Sequence, residues 1–288
     1  MQLNLAPSGR KNAILAAAIG YDLAALIPFV RTWRQHVPSA DLILFHRGLS
    51  ARTRSALADL GVRLMRFPRS RLMRFPRSLF APRNLQVARY QHYRAFLTRC
   101  SYERILLSDV GDVLFQHDPF EIAQEHPILF AVERKVIADC PYNSAWIDRL
   151  IGGTTERLEI NQKPIICSGT TLGTLSSIRG YLDRFTQEAD RYSRALGVVG
   201  IDQGIHNLLI HLRGVSGAID YDEHVFATLG YAPTNSIKID VDRILVDGKA
   251  PAVVHQWDRH ELLRDWVAAT FTPVSRRGKE VIEREGRS

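Results

Sequence analysis

The sequence predicts an α/β protein with a mixed, mainly parallel central sheet and helices on both faces. Three observations lead there. Short apolar runs of strand character alternate with segments whose apolar residues recur at helical spacing. The connections between them are short. Of the 288 residues, 45% are hydrophobic, enough for a large core in one unit. Strands joined by helical crossovers run parallel, because each helix carries the chain back to the end of the sheet where the strand began.

The elements follow in order. NAILAAAI, residues 12–19, is a buried strand that Gly20 ends. From Asp22 onward Leu23, Leu26, Ile27, Val30 and Trp33 recur at helical spacing, with Arg31 and Arg34 off that face. DLILFH, 41–46, is the second strand, followed by a helix near 51–60 and a strand leading into an arginine-rich loop. Residues 85–99 form a helix, and ERILLSD gives the next strand. After residue 125 the order is mixed: ILFAVE, a helix around Trp146, then PIICSGTTLGT as strand, turn and strand. Residues 1–273 make one domain, and the tail over 274–288 is short, charged and poorly ordered.

Composition excludes several classes. No window resembles a membrane span, and the amino terminus carries no basic segment followed by an apolar signal core. Cys100, Cys140 and Cys167 lie far apart, which argues against a disulfide framework and fits a reducing, cytoplasmic setting. The net charge of +8 is partly local: residues 63–77 hold six arginines and no acid. LMRFPRS occurs twice in tandem there, at 64–70 and 72–78, as expected of a duplication that lengthens a surface loop. That loop is either simply solvated or a peripheral contact for an anionic membrane. No nucleic-acid-binding motif accompanies it.

The stretch ILLSDVGDVLFQHDPF, 105–120, carries the chemistry. Asp118-Pro119-Phe120-Glu121 has the pattern of a helix start, with an acid at the N-cap and proline first in the helix, so Asp118 is structural. Asp109 and Asp112 interrupt an apolar run that resumes at once, and Gly111 lets the backbone turn so that both carboxylates converge. They are either a polar turn or a pair holding a cation, because two carboxylates in a dry pocket repel unless neutralised. Such oxygen ligands suit Mg²⁺ or Mn²⁺. Asp109 also falls at the carboxyl end of a strand, where parallel α/β sheets bind ligands. A phosphatase of the haloacid dehalogenase type fits less well, since its two acids are separated by one residue and here two intervene.

Four stretches in this order, SDVGDVLFQHDPF (108–120), CSGTTLGT (167–174), GIDQGIHNLLI (200–210) and VHQWDRH (254–260), resemble nucleotide-sugar glycosyltransferases of the GT-A fold. The nearest resemblance is to a bacterial group distantly related to the glycogenin-like enzymes. It implies a GT-A-like Rossmann-type sandwich and transfer of a sugar from a nucleotide-diphosphate sugar to a hydroxyl. The chain departs from the family in reading Asp-Val-Gly-Asp where many members have Asp-x-Asp. The group often has arginine at the place of Gly111.

The resemblance also implies roles. Asp109 and Asp112 would hold Mn²⁺ or Mg²⁺, and His255, after the strand PAVV, would complete the metal shell. Otherwise His255 is a histidine bonded to backbone. Asp202 and Gln203 would face the sugar and acceptor as catalytic residues, with a helix N-cap as the other reading of Asp202. Ser168 and Gly169, with Asp109, would line the donor, small residues letting backbone approach the sugar. Cys167 has no partner base to make it a nucleophile, and His206 and His211 share no helix face. The expected acceptor is a glycan or lipid-linked glycan of bacterial surface polysaccharide or glycolipid synthesis. The rival is a GT-A-fold protein that binds sugar or nucleotide without turnover.

Overall fold

The computed structural model describes residues 11–67, 85–192 and 195–271. The arginine-rich residues 68–77 and the tail over 274–288 lie outside them. β1 (Asn12–Ile19) serves two cores at once: Ala13 and Leu15 face one side of the sheet, Ile14, Ala16 and Ala18 the other. α1 (Leu23–His36) starts where Asp22 accepts the Ala25 N–H at 2.9 Å. β2 (Ala40–Arg47), α2 (Ala51–Asp59) and β3 (Arg63–Arg66) follow. α3 (Leu85–Leu97) then crosses to the opposite edge of β1, where β4 (Arg104–Ser108) pairs with it. The order β3-β2-β1-β4 is parallel throughout. Strand order reverses between β1 and β4, so their carboxyl ends open a crevice.

Beyond β4 the sheet becomes mixed, as the sequence predicts. β5 (Val113–Phe115) lies at the far edge, beyond β6 (Ile128–Val136), β7 (Pro164–Thr174), β9 (Phe226–Thr228) and β12 (Val253–His255). β7 runs antiparallel to both β4 and β6, and β8 (Ala218–Asp220) pairs with β6. α4 (Pro119–Ile122) begins at Asp118, whose carboxylate accepts the Phe120 N–H at 2.9 Å, the cap expected of it.

α3, α5 (Pro141–Ile151), α7 (Leu175–Arg191) and α8 (Ile201–His211) cover one face, with α6 (Thr155–Ile160) beside them, and α1 and α2 cover the other. A third apolar cluster joins the hairpin of β10 (Ile237–Asp240) and β11 (Arg243–Val246) to α9 (Glu261–Phe271).

PIICSGTTLGT departs from expectation, since it is one continuous strand rather than strand, turn and strand. Its pairing with β6 jumps from Phe130↔Thr171 to Ala131↔Cys167, so Ser168, Gly169 and Thr170 bulge away from that neighbour. The small residues read as a turn therefore make a bulge, which bends a strand without ending it.

Candidate active site

β4 ends in the crevice, and Asp109 is the next residue. Its N–H donates to Gly169 O at 2.8 Å, which fastens it to the β7 bulge. Three residues on, the Asp112 carbonyl accepts the Gln256 N–H at 2.9 Å, fixing the other end of the loop to the segment after β12. Gly111 lies beneath Tyr21, and a Cβ there would sit 2.6 Å from the ring, so a side chain at 111 would displace Tyr21. His255 ends β12, opposite Val113 of β5. Two distant strand ends and one loop thus converge.

His255 Nε2 lies 3.7 Å from Asp109 Oδ2 and 3.5 Å from Asp112 Oδ2. One ligand atom from each of the three falls within 4.8 Å of the others. The imidazole is buried, with Nδ1 at 3.4 Å from Cys167 Sγ. The neighbouring backbone keeps other side chains away from the three. A Cβ on Gly169 would meet His255 Cε1 and stand 2.8 Å from Asp109 Oδ2. Two carboxylate oxygens and one imidazole nitrogen suit a divalent cation such as Mn²⁺ or Mg²⁺, so the residues fit the ion the sequence implies.

Neighbouring protein groups balance these acids. Burial alone would lower the His255 pKa, but Cys167 and Asp112 outweigh it and hold the imidazole well above its usual range. Burial raises the Cys167 thiol and keeps it protonated, so Asp112 is the partner that counts. Burial would likewise raise Asp112, and His255 reverses the sign. Asp109 is held by Arg89 from α3, which also donates to Asp202 Oδ2 at 3.1 Å. The two carboxylates are therefore not a bare repelling pair: each faces its own cation.

Around this centre lies a cavity of about 600 Å³ whose floor is the β7 bulge and whose walls include Asp202, Glu133 and Trp146. A second cleft of about 370 Å³ continues past Arg89 and Asp109 toward Ala17, Ile19, Tyr21 and Val110.

No family model matches the chain, and no curated protein matches it in sequence. Solved structures do match. One is an active-site mutant of LgtC, at 17% identity and TM-score 0.57, covering 93% of this chain and 99% of that one. Another is the galactosyltransferase LgtC in complex with donor and acceptor sugar analogs, at 17% identity and TM-score 0.56 over the same shares. The fold is GT-A-like.

Within this GT-A-like fold the residues singled out from sequence come together, with some changes of part. Asp202 is not an N-cap. Gly200 holds that position at φ 81°, and the Asp202 carboxylate turns to Arg89. Burial raises its pKa against the opposing pull of Arg89. Gln203 uses both ends of its amide on β7: Oε1 accepts the Ser168 N–H at 2.7 Å, and Nε2 donates to Ile166 O at 2.9 Å. Asn207, one turn later, grips Ile166 in the same way. Gln203 thus positions Ser168 and Gly169 while lining the cavity. His206 bonds Tyr181 and His211 bonds Pro164 O, each in a structural place apart from the acids.

Two residues escaped the sequence reading. Arg89 is 9% exposed, on the helical stripe it shares with Tyr93 and Phe96, and a charge on an apolar stripe was the available signal. Glu133 is 5% exposed, and burial raises its pKa to about 6. Its signal was an acid closing the apolar run ILFAV. A Cβ on Gly200 would strike the Trp146 ring and one on Gly204 would stand 3.0 Å from Trp146 Cβ and Leu150 Cδ1, so α5 and α8 pack closely beside Asp202.

Proposed function

We propose that the protein is a divalent-metal-dependent glycosyltransferase that moves a sugar from a nucleotide-diphosphate sugar to a hydroxyl of a glycan or lipid-linked glycan. The observation that carries this is the Asp109, Asp112 and His255 cluster, open to a cavity large enough for a sugar and joined to an apolar cleft. When bound there, Mn²⁺ or Mg²⁺ supplies positive charge that stabilises a leaving diphosphate.

The chain's own residues supply the rest. Tyr21, Ala17, Ile19 and Val110 give the second cleft apolar lining for a nucleoside base. The diphosphate then falls beside Asp109 and Asp112, with Arg259 on the same wall as a second source of positive charge. Backbone at Ser168 and Gly169 admits the sugar closely, because no Cβ stands at 169. In transfer the bond from the sugar's anomeric carbon to the diphosphate oxygen breaks, and a bond to the acceptor oxygen forms. The acceptor's proton needs a base. Asp202 lines the cavity for that role, and Glu133, poised at about 6, is a second carboxylate within it. Tyr142, an exposed ring tilted against Trp146 at 6.3 Å, offers the acceptor an apolar rim.

In this reading the enzyme works in the cytoplasm, peripheral to the inner membrane, in surface polysaccharide or glycolipid synthesis. Among the described residues, no helix is long and apolar enough to cross a membrane. The rival reading, a silent binding protein, would gain from the lack of an arginine at 111; Arg89 weakens it by bringing a guanidinium to the acids from another helix. A screen of nucleotide-diphosphate sugars with and without Mn²⁺ separates the two. Slow metal-dependent release of nucleoside diphosphate is expected for one donor, whereas binding with no release from any donor would favour the silent protein.

A further inference from the structure

A second site lies on the same end of the sheet, two strands from Asp109. His46 and Arg66 are register partners on neighbouring parallel strands, β2 and β3. Alternation along both strands turns them to the face that α2 covers, with Leu44 and Leu64 before them on that side. Gly48, at φ 86°, then bends the chain so that α2 begins directly above. His46, Gly48, Leu49, Arg54 and Arg66 enclose a cavity of about 220 Å³, several times the roughly 30 Å³ of a liquid water.

Its polar groups are unbalanced. His46 is 6% exposed, and its Nδ1 is buried with no hydrogen-bond partner among the described residues. Buried ring nitrogens are seldom left so. Arg54 spends one N–H on Leu49 O at 2.5 Å, and among the described residues neither Arg54 nor Arg66 meets a carboxylate. Arg63 differs, since it pairs with Asp41 at 2.8 Å. Helix starts favour acids, yet the first turn of α2 has none and carries Arg52 and Arg54. Burial lowers the pKa of His46, and both arginines lower it further with no acid opposing them.

Two exposed guanidinium groups, Arg54 and Arg66, and the His46 ring line one small cavity beside the start of α2. We infer that this cavity binds a phosphate group, either a soluble phosphate or a lipid headgroup. Arginine forks match phosphate oxygens. The site is distinct from the proposed sugar-transfer centre, and its test does not depend on transfer activity.

Calorimetry with inorganic phosphate, against chloride at equal ionic strength, tests the site directly. Arg54→Ser and Arg66→Ser should each weaken phosphate binding at least tenfold, while Arg149→Ser, an exposed arginine on α5, should leave it unchanged. Phosphate should also shift the His46 ring resonances in the wild type and leave them still in Arg54→Ser. A second arm uses phosphatidylcholine vesicles with and without phosphatidylglycerol. Sedimentation only with the anionic vesicles, lost in both variants, identifies the headgroup as the ligand whether or not free phosphate binds. Phosphate binding without sedimentation identifies a soluble phosphate. No binding in either arm, or binding that both arginine variants retain, overturns the site.

Discussion

Arg89→Met removes the cation that joins Asp109 to Asp202, and its cost can be worked from exposure. The Arg89 side chain is 11% exposed and that of Asp202 is 6%, so their pair belongs to the buried class. Removing one partner of such a pair costs about 3–5 kcal/mol, since a buried charge is left alone. Asp109 is 33% exposed, and water screens its share down to about 0–1 kcal/mol. The expected loss is therefore about 3 kcal/mol, mostly from Asp202. Burial already raises the Asp202 pKa, and without Arg89 it climbs further. The penalty of ionised Asp202 is present above that folded pKa and fades as the pH falls through it, so the deficit shrinks on acidification. Urea unfolding of wild type, Arg89→Met and Arg89→Met/Asp202→Asn measures this, with the double variant recovering at least half the loss. A single-variant loss under about 1 kcal/mol, or a double variant no better than the single, would refute the reasoning.

Glu133→Gln should act in the opposite direction. The carboxyl rises from 4.5 to about 6 on folding, so its ionised form opposes folding above that pH and the effect vanishes below the unfolded value. About 1.5 pKa units correspond to about 2 kcal/mol, which the variant should gain near pH 8 and not near pH 4; equal unfolding midpoints at both pH values would contradict the burial argument. Gly169→Ala places a Cβ against His255 and Asp109, and should weaken Mn²⁺-supported nucleotide binding at least tenfold at a stability cost of about 1–3 kcal/mol. Gly180→Ala, whose Cβ meets nothing within 4 Å inside α7, is its control and should gain up to about 1 kcal/mol in thermal or urea melts.

Local patterns carried much of the fold. The first four strands and their helices follow from periodicity, because each strand feeds two cores and each helix buries one stripe. Asp109 and Asp112 were legible as acids at a strand end for the same reason. The bulge at Ser168–Thr170 was not, because two opposed neighbours, β4 and β6, impose different registers on β7 and neither is visible in that segment alone. His255 lies 143 positions beyond Asp112 and meets it only through β12 and β5, so family resemblance found it where spacing could not. Asp109→Asn and Asp112→Asn do not simply relieve a repelling pair of carboxylates. Arg89 faces one acid and His255 the other, so each substitution strips a cation of its partner.

The central claim is that Asp109, Asp112 and His255 hold a divalent ion that binds the donor's diphosphate. Calorimetric titration of a nucleoside diphosphate, in Mn²⁺ and in EDTA, tests it on wild type, Asp109→Asn, Asp112→Asn and His255→Ala. Wild type should bind far more tightly in Mn²⁺ than in EDTA. The two asparagine variants should lose that gain and His255→Ala should lose part of it, while all four bind alike in EDTA. Equal affinities with and without Mn²⁺ in the wild type, or a full Mn²⁺ gain retained in both asparagine variants, would contradict the account.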